Sequence, residues 1–188
     1  DLEAEITQVE LSGLALELAV WGARDPSTMR WLDPPPQRSF TEARTLLTLL
    51  GALDDTGAVT DLGRRMASLP LHPRLARMVA EAGTTTAAAI AALLEDRDVM
   101  RGRPEEIPAD LAIRLDLLTD PSRRHPLADG RALAGARNRW REIARRAGIT
   151  RADDDIDTGE AGRDLALAYP DRLAVRRNQP GSFQLRTG

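Results

Sequence analysis

Along most of this chain the apolar residues recur three and four positions apart, the spacing of helices that bury one face. In 8–21, Leu11, Leu14, Leu18 and Trp21 fall on one stripe, which predicts an amphipathic helix with Gly22 as its left-handed stop. Asp25 before Pro26 reads as an N-cap and first helical residue, opening a short helix that carries Trp31 and Leu32 inward. Pro34, Pro35 and Pro36 end it in a stiff extended link. Ser39 with Glu42 three residues on reads as a capping box for the next helix, whose buried face is Phe40, Ala43, Leu46, Leu47 and Leu50. Gly51 closes that helix. The stretch ALDDTGAVT then switches to the pattern of two very short strands around the turn Asp54–Gly57. Thr60 caps a further helix through Leu62 and Met66. Helix, helix, small hairpin and helix make the pattern of a winged-helix unit.

After Pro70 the pattern becomes a succession of helices. Pro73 opens the first, with Leu75, Met78, Val79 and Ala82 inside and Gly83 as its stop. Thr84 or Thr85 caps a second, which buries Ile90, Leu93 and Leu94. ADLAIRLDLLTD gives a third, ended by Pro121. The stretch 127–147 gives a long fourth, with Leu133, Ala136, Trp140, Ile143 and Ala147 spaced for one buried face and Gly148 at its end. Together these predict a helical bundle. Between the second and third helices, RDVMRGRPEEIP reads as an exposed loop. TRADDDIDTGE reads as a polar linker, AGRDLALAYP as a short helix stopped at Pro170. Leu173–Arg176 and Phe183–Arg186 read as two strands around a Gln179–Ser182 turn, and a lone hairpin of that kind is marginal in water. The expected class is mainly α: a winged-helix domain over 1–69, a helical bundle over 70–150, and a linker, short helix and β-hairpin over 151–188.

Composition removes most chemistry. The 188 residues include no cysteine, which excludes disulfides, thiolate metal sites and cysteine nucleophiles. No apolar run nears the roughly 18 residues of a membrane span, and the polar start DLEAEITQVE is not a signal peptide. A cytoplasmic monomer without membrane contact is expected. Without lysine there is no G-x-x-x-x-G-K-[ST] phosphate loop, and no G-x-G-x-x-G follows a strand. His72 and His125 each precede a proline at a helix entrance and lack partners at metal-ligand spacing. Asp153–Asp157 lacks the glycine and terminal glutamate of a calcium loop and reads as solvated linker. No serine stands in a G-x-S-x-G context and no convergent acid pair is present, so no catalytic, cofactor-binding or metal-binding residue is expected.

Charge is more informative in kind than in amount. The net charge of −3 does not advertise a nucleic-acid partner, but all 26 basic residues are arginine. Arginine suits bidentate phosphate contacts, although an Arg- and Ala-rich chain also follows from genome base composition. Two groups stand out. Arg97, Arg101 and Arg103 share the exposed loop. Arg137, Arg141 and Arg145 are spaced i, i+4, i+8 on the fourth helix and form a stripe suited to a phosphate backbone. For both groups the plainer alternative is a solvated charged face. The helix Phe40–Leu50 holds Arg44 as its one basic residue, whereas a helix reading base edges needs several polar or basic side chains.

The succession LALELAVWGARDPSTMRWLDPPP, then ARTLLTLLGALDDTGAVTDLGRRMASLPLHPRLARM, resembles the region that follows the two motor domains in DEAH-box helicases. AALLEDRDVMRG and LALAYPDRLAVRRNQPGSFQLRTG narrow the resemblance to the bacterial HrpB type of ATP-dependent helicase. The resemblance implies a winged helix packed on two RecA-like domains, a ratchet-like bundle lining a channel for single-stranded nucleic acid, RNA above all, and the start of an OB-like region. It implies that ATP and Mg are bound and hydrolysed in the RecA-like domains, which this chain lacks together with their phosphate loop and DEAH box. The chain itself is thus expected to be an accessory region and no ATPase. A winged-helix DNA-binding regulator with a helical interaction domain is the alternative, and it calls for a basic recognition helix.

Overall fold

The computed structural model describes residues 4–23, 25–150, 156–178 and 181–185. Within these, α1 (Ser12–Val20), α2 (Gln37–Leu49) and α3 (Asp61–Ala67) form the first unit. Then come α4 (Pro73–Ala82), α5 (Thr85–Leu94), α6 (Leu111–Thr119), α7 (Gly130–Arg146), α8 (Ala161–Ala168), and a hairpin of β1 (Ala174–Arg176) and β2 (Phe183–Leu185). Single 3-10 turns stand at Glu5–Thr7, Pro26–Thr28 and Pro170–Arg172.

In the first unit, α1 packs on α2 and α3, and Leu11, Ala15 and Leu18 share a core with Phe40, Leu47, Leu50 and Met66. Helix α1 begins later than the spacing predicts. Its first turn is held by the Glu10 carboxylate, which accepts from Ser12 N (2.8 Å) and Ser12 Oγ (2.6 Å). Asp25 caps its turn as expected, accepting from Ser27 N. Trp21 and Leu32, expected inside, are 76% and 100% exposed. Trp21 is the C-cap of α1, and Gly22 at φ 83 turns the chain away before any partner covers the ring. Trp31 is half-buried, its Nε1 donating to Pro26 O at 2.7 Å. The capping box at Ser39 and Glu42 does not form. Helix α2 opens at Gln37, with Phe40 N donating to Pro36 O, and Glu42 pairs with Arg38 instead. Pro36, with φ fixed near the helical value, sets the start three residues earlier. Gly51 at φ 72 ends α2, and Ala52 N donates back to Leu47 O at 2.9 Å.

The wing is smaller than two strands. One antiparallel bridge joins Leu53 and Val59, and Asp54 Oδ1 gathers Thr56 N, Thr56 Oγ1 and Ala58 N. Thr60 caps α3 by accepting from Gly63 N (3.0 Å) and donates to Gly51 O (2.7 Å), so one hydroxyl ties three segments. Gly63 is obligatory by space: a Cβ there would stand 2.2 Å from Ala52 O.

Helix α5 is the axis of the second unit. Its residues from Thr85 to Leu93 are all buried, as expected of a helix apolar all round, and α4, α6, α7 and α8 pack about it. Thr84 caps it through Ala87 N. Leu94, expected inside, is 42% exposed at its last position. Helix α7 opens at Gly130 rather than near 127, because Asp129 caps it and the residues before pair with the loop at 99–101: Asp129 N donates to Val99 O and Arg101 N to Leu127 O. Arg74 clamps Asp171 bidentately (2.6 and 2.9 Å), and Arg77 donates to Leu167 O, fixing α8 on α4. The guanidiniums of Arg74 and Arg172 each stand over the Tyr169 ring. The hairpin pairs Ala174 with Leu185 and Arg176 with Phe183, and all six of its strand residues are exposed. Of the Asp153–Asp157 stretch, Asp153–Asp155 lie outside the described residues, and Asp157 N donates to Thr86 Oγ1. Gln179 and Pro180 of the expected turn, and Arg186, are likewise outside them.

Candidate nucleic-acid interface

Helix α2 presents Gln37, Arg38, Thr41, Glu42, Thr45, Thr48 and Leu49 to solvent. Its basic side chains are engaged. Arg38 is held by Glu42 at 2.9 Å, and Arg44 Nη2 donates to Gly57 O at 3.2 Å. Gly57 has φ 77, and a Cβ there would meet Arg44 Nη2 at 2.1 Å. The wing tip and α2 therefore close on each other, and no unpaired guanidinium among the described residues stands on this helix.

On α7, residues two apart differ by about 200° of rotation, so Arg137 and Arg139 flank the buried seam on opposite sides. Arg137 is half-buried. Its Nε and Nη2 donate to Leu118 O and Leu117 O at 2.7 Å each, satisfying carbonyls in the last turn of α6 that have no helical partner. Arg145 lies bidentate on Glu142 (2.9 Å), which also receives Arg146 (2.6 Å). Those two guanidiniums, Arg146 first, hold the Glu142 carboxyl below its ordinary range. Arg141 is exposed, with Asn138 Oδ1 at 3.4 Å. The i, i+4, i+8 stripe is thus one structural clamp, one exposed cation and one local ion pair.

The other flank faces the loop between α5 and α6. Here Arg97, Arg101, Arg131 and Arg139 line an open cleft of about 460 Å³ over a floor of Ala132, Gly135 and Ala136. Arg101 pairs with Asp129, and Arg139 with Asp96 (3.0 Å). Asp98, also on the cleft, is gripped by Arg114 (2.5 and 2.9 Å), which holds its carboxyl below the usual value. The Asp129 carboxyl is lowered too, first by the Ala132 N–H, with those of Arg131 and the Arg101 charge adding to it. Arg103 is exposed beyond the cleft, its own N–H donating to Glu106 Oε2. The structure therefore unites Arg97 and Arg101 with Arg131 and Arg139, and places Arg137, Arg141 and Arg145 elsewhere. Nothing in the local spacing marks Arg131 and Arg139. Their signal is the acid pattern at Asp96 and Asp129, which is readable only once the loop is known to lie on α7.

The histidines act locally. His72 Nδ1 accepts from Arg74 N at the cap of α4 while Nε2 meets Glu10 Oε2 at 3.0 Å, and His125 Nδ1 accepts from Leu127 N. Among the described residues, no group of three or more His, Asp or Glu side chains is placed to hold a metal ion. Among the described residues no helix is long and apolar enough to cross a membrane.

A closed wing on a short three-helix unit, continuous in its core with a helical bundle, makes a winged-helix region joined to a bundle. Residues 43–71 match the family described as helicase associated domain (HA2), winged-helix. The chain is the accessory HA2 region of a DEAH/RHA helicase. In particular it is 35% identical over 190 residues to the ATP-dependent RNA helicase HrpB of Escherichia coli, a match covering 99% of this chain and 21% of that protein. It is 39% identical over 75 residues to the pre-mRNA-splicing factor ATP-dependent RNA helicase prp22 of Schizosaccharomyces pombe, covering 40% of this chain and 6% of that one. Crystal structures of the Escherichia coli DExH-box NTPase HrpB and of DEAH/RHA helicase HrpB superpose with a TM-score of 0.74 at 35% identity, over 100% of this chain and 21% and 22% of theirs. The chain spans about a fifth of the length of these HrpB relatives.

Proposed function

We propose that this region couples RecA-like motor domains of the same parent chain to a single strand of nucleic acid, RNA in the first place. The observation that carries the reading is similarity along the whole chain to an ATP-dependent RNA helicase five times its span. In this reading residues 1–69 pack on the motors, 70–150 form a ratchet-like wall of the strand's channel, and 151–188 lead into OB-like β-structure. ATP and Mg are bound in the motor domains, and hydrolysis belongs to the parent enzyme, a cytoplasmic monomer. The closed α2, with Arg44 on the wing carbonyl, favours packing over base reading and weighs against a winged-helix DNA-binding regulator. The test is direct. The isolated chain binds a fluorescent single-stranded RNA with affinity that falls steeply with salt, and hydrolyses no ATP above blank. Failure to bind at 50 mM salt overturns the coupling role, and ATP turnover that survives repurification overturns the division of labour.

A further inference from the structure

We infer that the cleft between the α5–α6 loop and α7 is a phosphodiester-binding site that does not distinguish bases or sugars; this rests on the nucleic-acid reading above and locates it. The charge balance of the cleft carries the inference. Three carboxylates stand there, and each is matched to one arginine: Asp129 to Arg101, Asp96 to Arg139, and Asp98 to Arg114. Two cations are left over. The side chains of Arg97 and Arg131 meet no partner among the described residues, and both are exposed on the cleft. The paired residues hold the walls: the loop is tied to the start of α7 by the Met100–Ala128 bridge, by Asp129 N on Val99 O and by the Arg101–Asp129 pair. The unpaired guanidiniums therefore project from a braced frame, which lowers the ordering cost of a second anion. An arginine not already bonded is free to take a phosphate bidentately.

The lining also states what the site ignores. Among the described residues no aromatic ring borders the cleft, so the lining offers no platform for a base to stack on. The floor is alanine and glycine, and a Cβ at Gly135 would meet nothing within 4 Å, leaving room for a sugar–phosphate backbone. Contacts confined to phosphates carry no sequence information and no reading of the 2′-hydroxyl. RNA and DNA strands should then be held alike by this cleft.

The test uses the 188-residue chain and matched RNA and DNA single strands of one sequence. Arg97→Ala with Arg131→Ala should weaken both strands about tenfold at low salt and flatten the dependence of log affinity on log salt by about 1.4, two contacts at roughly 0.7 each. Arg97→Lys with Arg131→Lys should restore most of the binding, since phosphate accepts either cation. Gly135→Gln, which fills the floor while leaving every charge of the cleft in place, should weaken both strands as well. Unchanged affinity and slope in the double alanine variant, with the parent chain still binding, overturns the cleft and leaves the coupling role standing. A parent chain that binds neither strand overturns the coupling role itself. Poly-glutamate that competes as well as RNA, charge for charge, overturns the phosphate assignment in favour of an acidic protein partner.

Discussion

Both units of this chain are rich in arginine, and they use it differently. In the winged-helix unit Arg38, Arg44, Arg64 and Arg65 end on Glu42, Gly57 O, Asp61 and Ala80 O. In the bundle most arginines are held in the same manner, but the α5–α6 loop and α7 together carry more cations than acceptors. The contrast teaches that the count of arginines on a helix says little about binding. What matters is which guanidiniums remain after the fold has taken its own hydrogen bonds. By that measure the described residues of the winged helix leave over one guanidinium, the exposed Arg30, while the bundle, with Arg97, Arg103 and Arg131, has more cations to offer.

The comparison can be broken by substitutions that load each unit separately. The largest effect is expected in the bundle's axis: Ile90→Ala, at a fully buried site, should cost about 3–4 kcal/mol by urea unfolding. In the first unit Gly63→Ala should cost about 2–3 kcal/mol, because the new methyl meets a backbone carbonyl that has no room to retreat. Gly135→Ala in α7 should instead be neutral or stabilising by up to about 1 kcal/mol. An equal loss at both glycines would contradict the packing described for α3 and the wing.

Smaller effects sharpen the division among the arginines. Arg137→Ala should lower stability by about 1–2 kcal/mol, discounted for its partial exposure, since two α6 carbonyls lose their donors. Arg97→Ala with Arg131→Ala should change stability by less than about 0.5 kcal/mol. If thermal melts rank these two variants the other way, the clamp and the free cations have been misassigned.

Asp164 on α8 gives a pH-dependent check. It is 2% exposed and accepts from Thr84 Oγ1 at 3.0 Å, and burial pushes its carboxyl above the ordinary 3.8. Its contribution to stability is therefore full below pH 3.8 and is lost as pH rises through the folded value. Asp164→Asn keeps an acceptor for Thr84 without the buried charge. Its Tm should exceed that of the parent at pH 7, with the gap closing by about pH 4. A lower Tm at pH 7 would show that the charge itself is stabilising.

Much of the fold was legible because the signals that made it are local. Thr60, Thr84 and Asp25 cap as their positions suggest, and Gly51, Gly83 and Gly148 take positive φ where helices end. The misreadings cluster where a helix ends or begins. Trp21 and Leu94 lie at helix ends beyond the reach of a packing neighbour, and Ser39 sits inside a helix that Pro36 had already started. The site was less legible. Arg97 and Arg101 were visible as loop cations, but Arg139 meets Asp96 across 43 positions of sequence, and Arg137 meets Leu118 across 19.

The sequence by itself determined the phase of most helices, several of their caps, and the absence of lysine and cysteine with all the chemistry that depends on them. Only the tertiary structure decided which arginines are bound and which are left over. Helical periodicity and capping act over a turn or two of chain, so they are written in neighbouring residues. Charge neutralisation acts over about 3 Å of space, and the distance from Asp96 to Arg139 is set by how α7 lies against α5 and its loop.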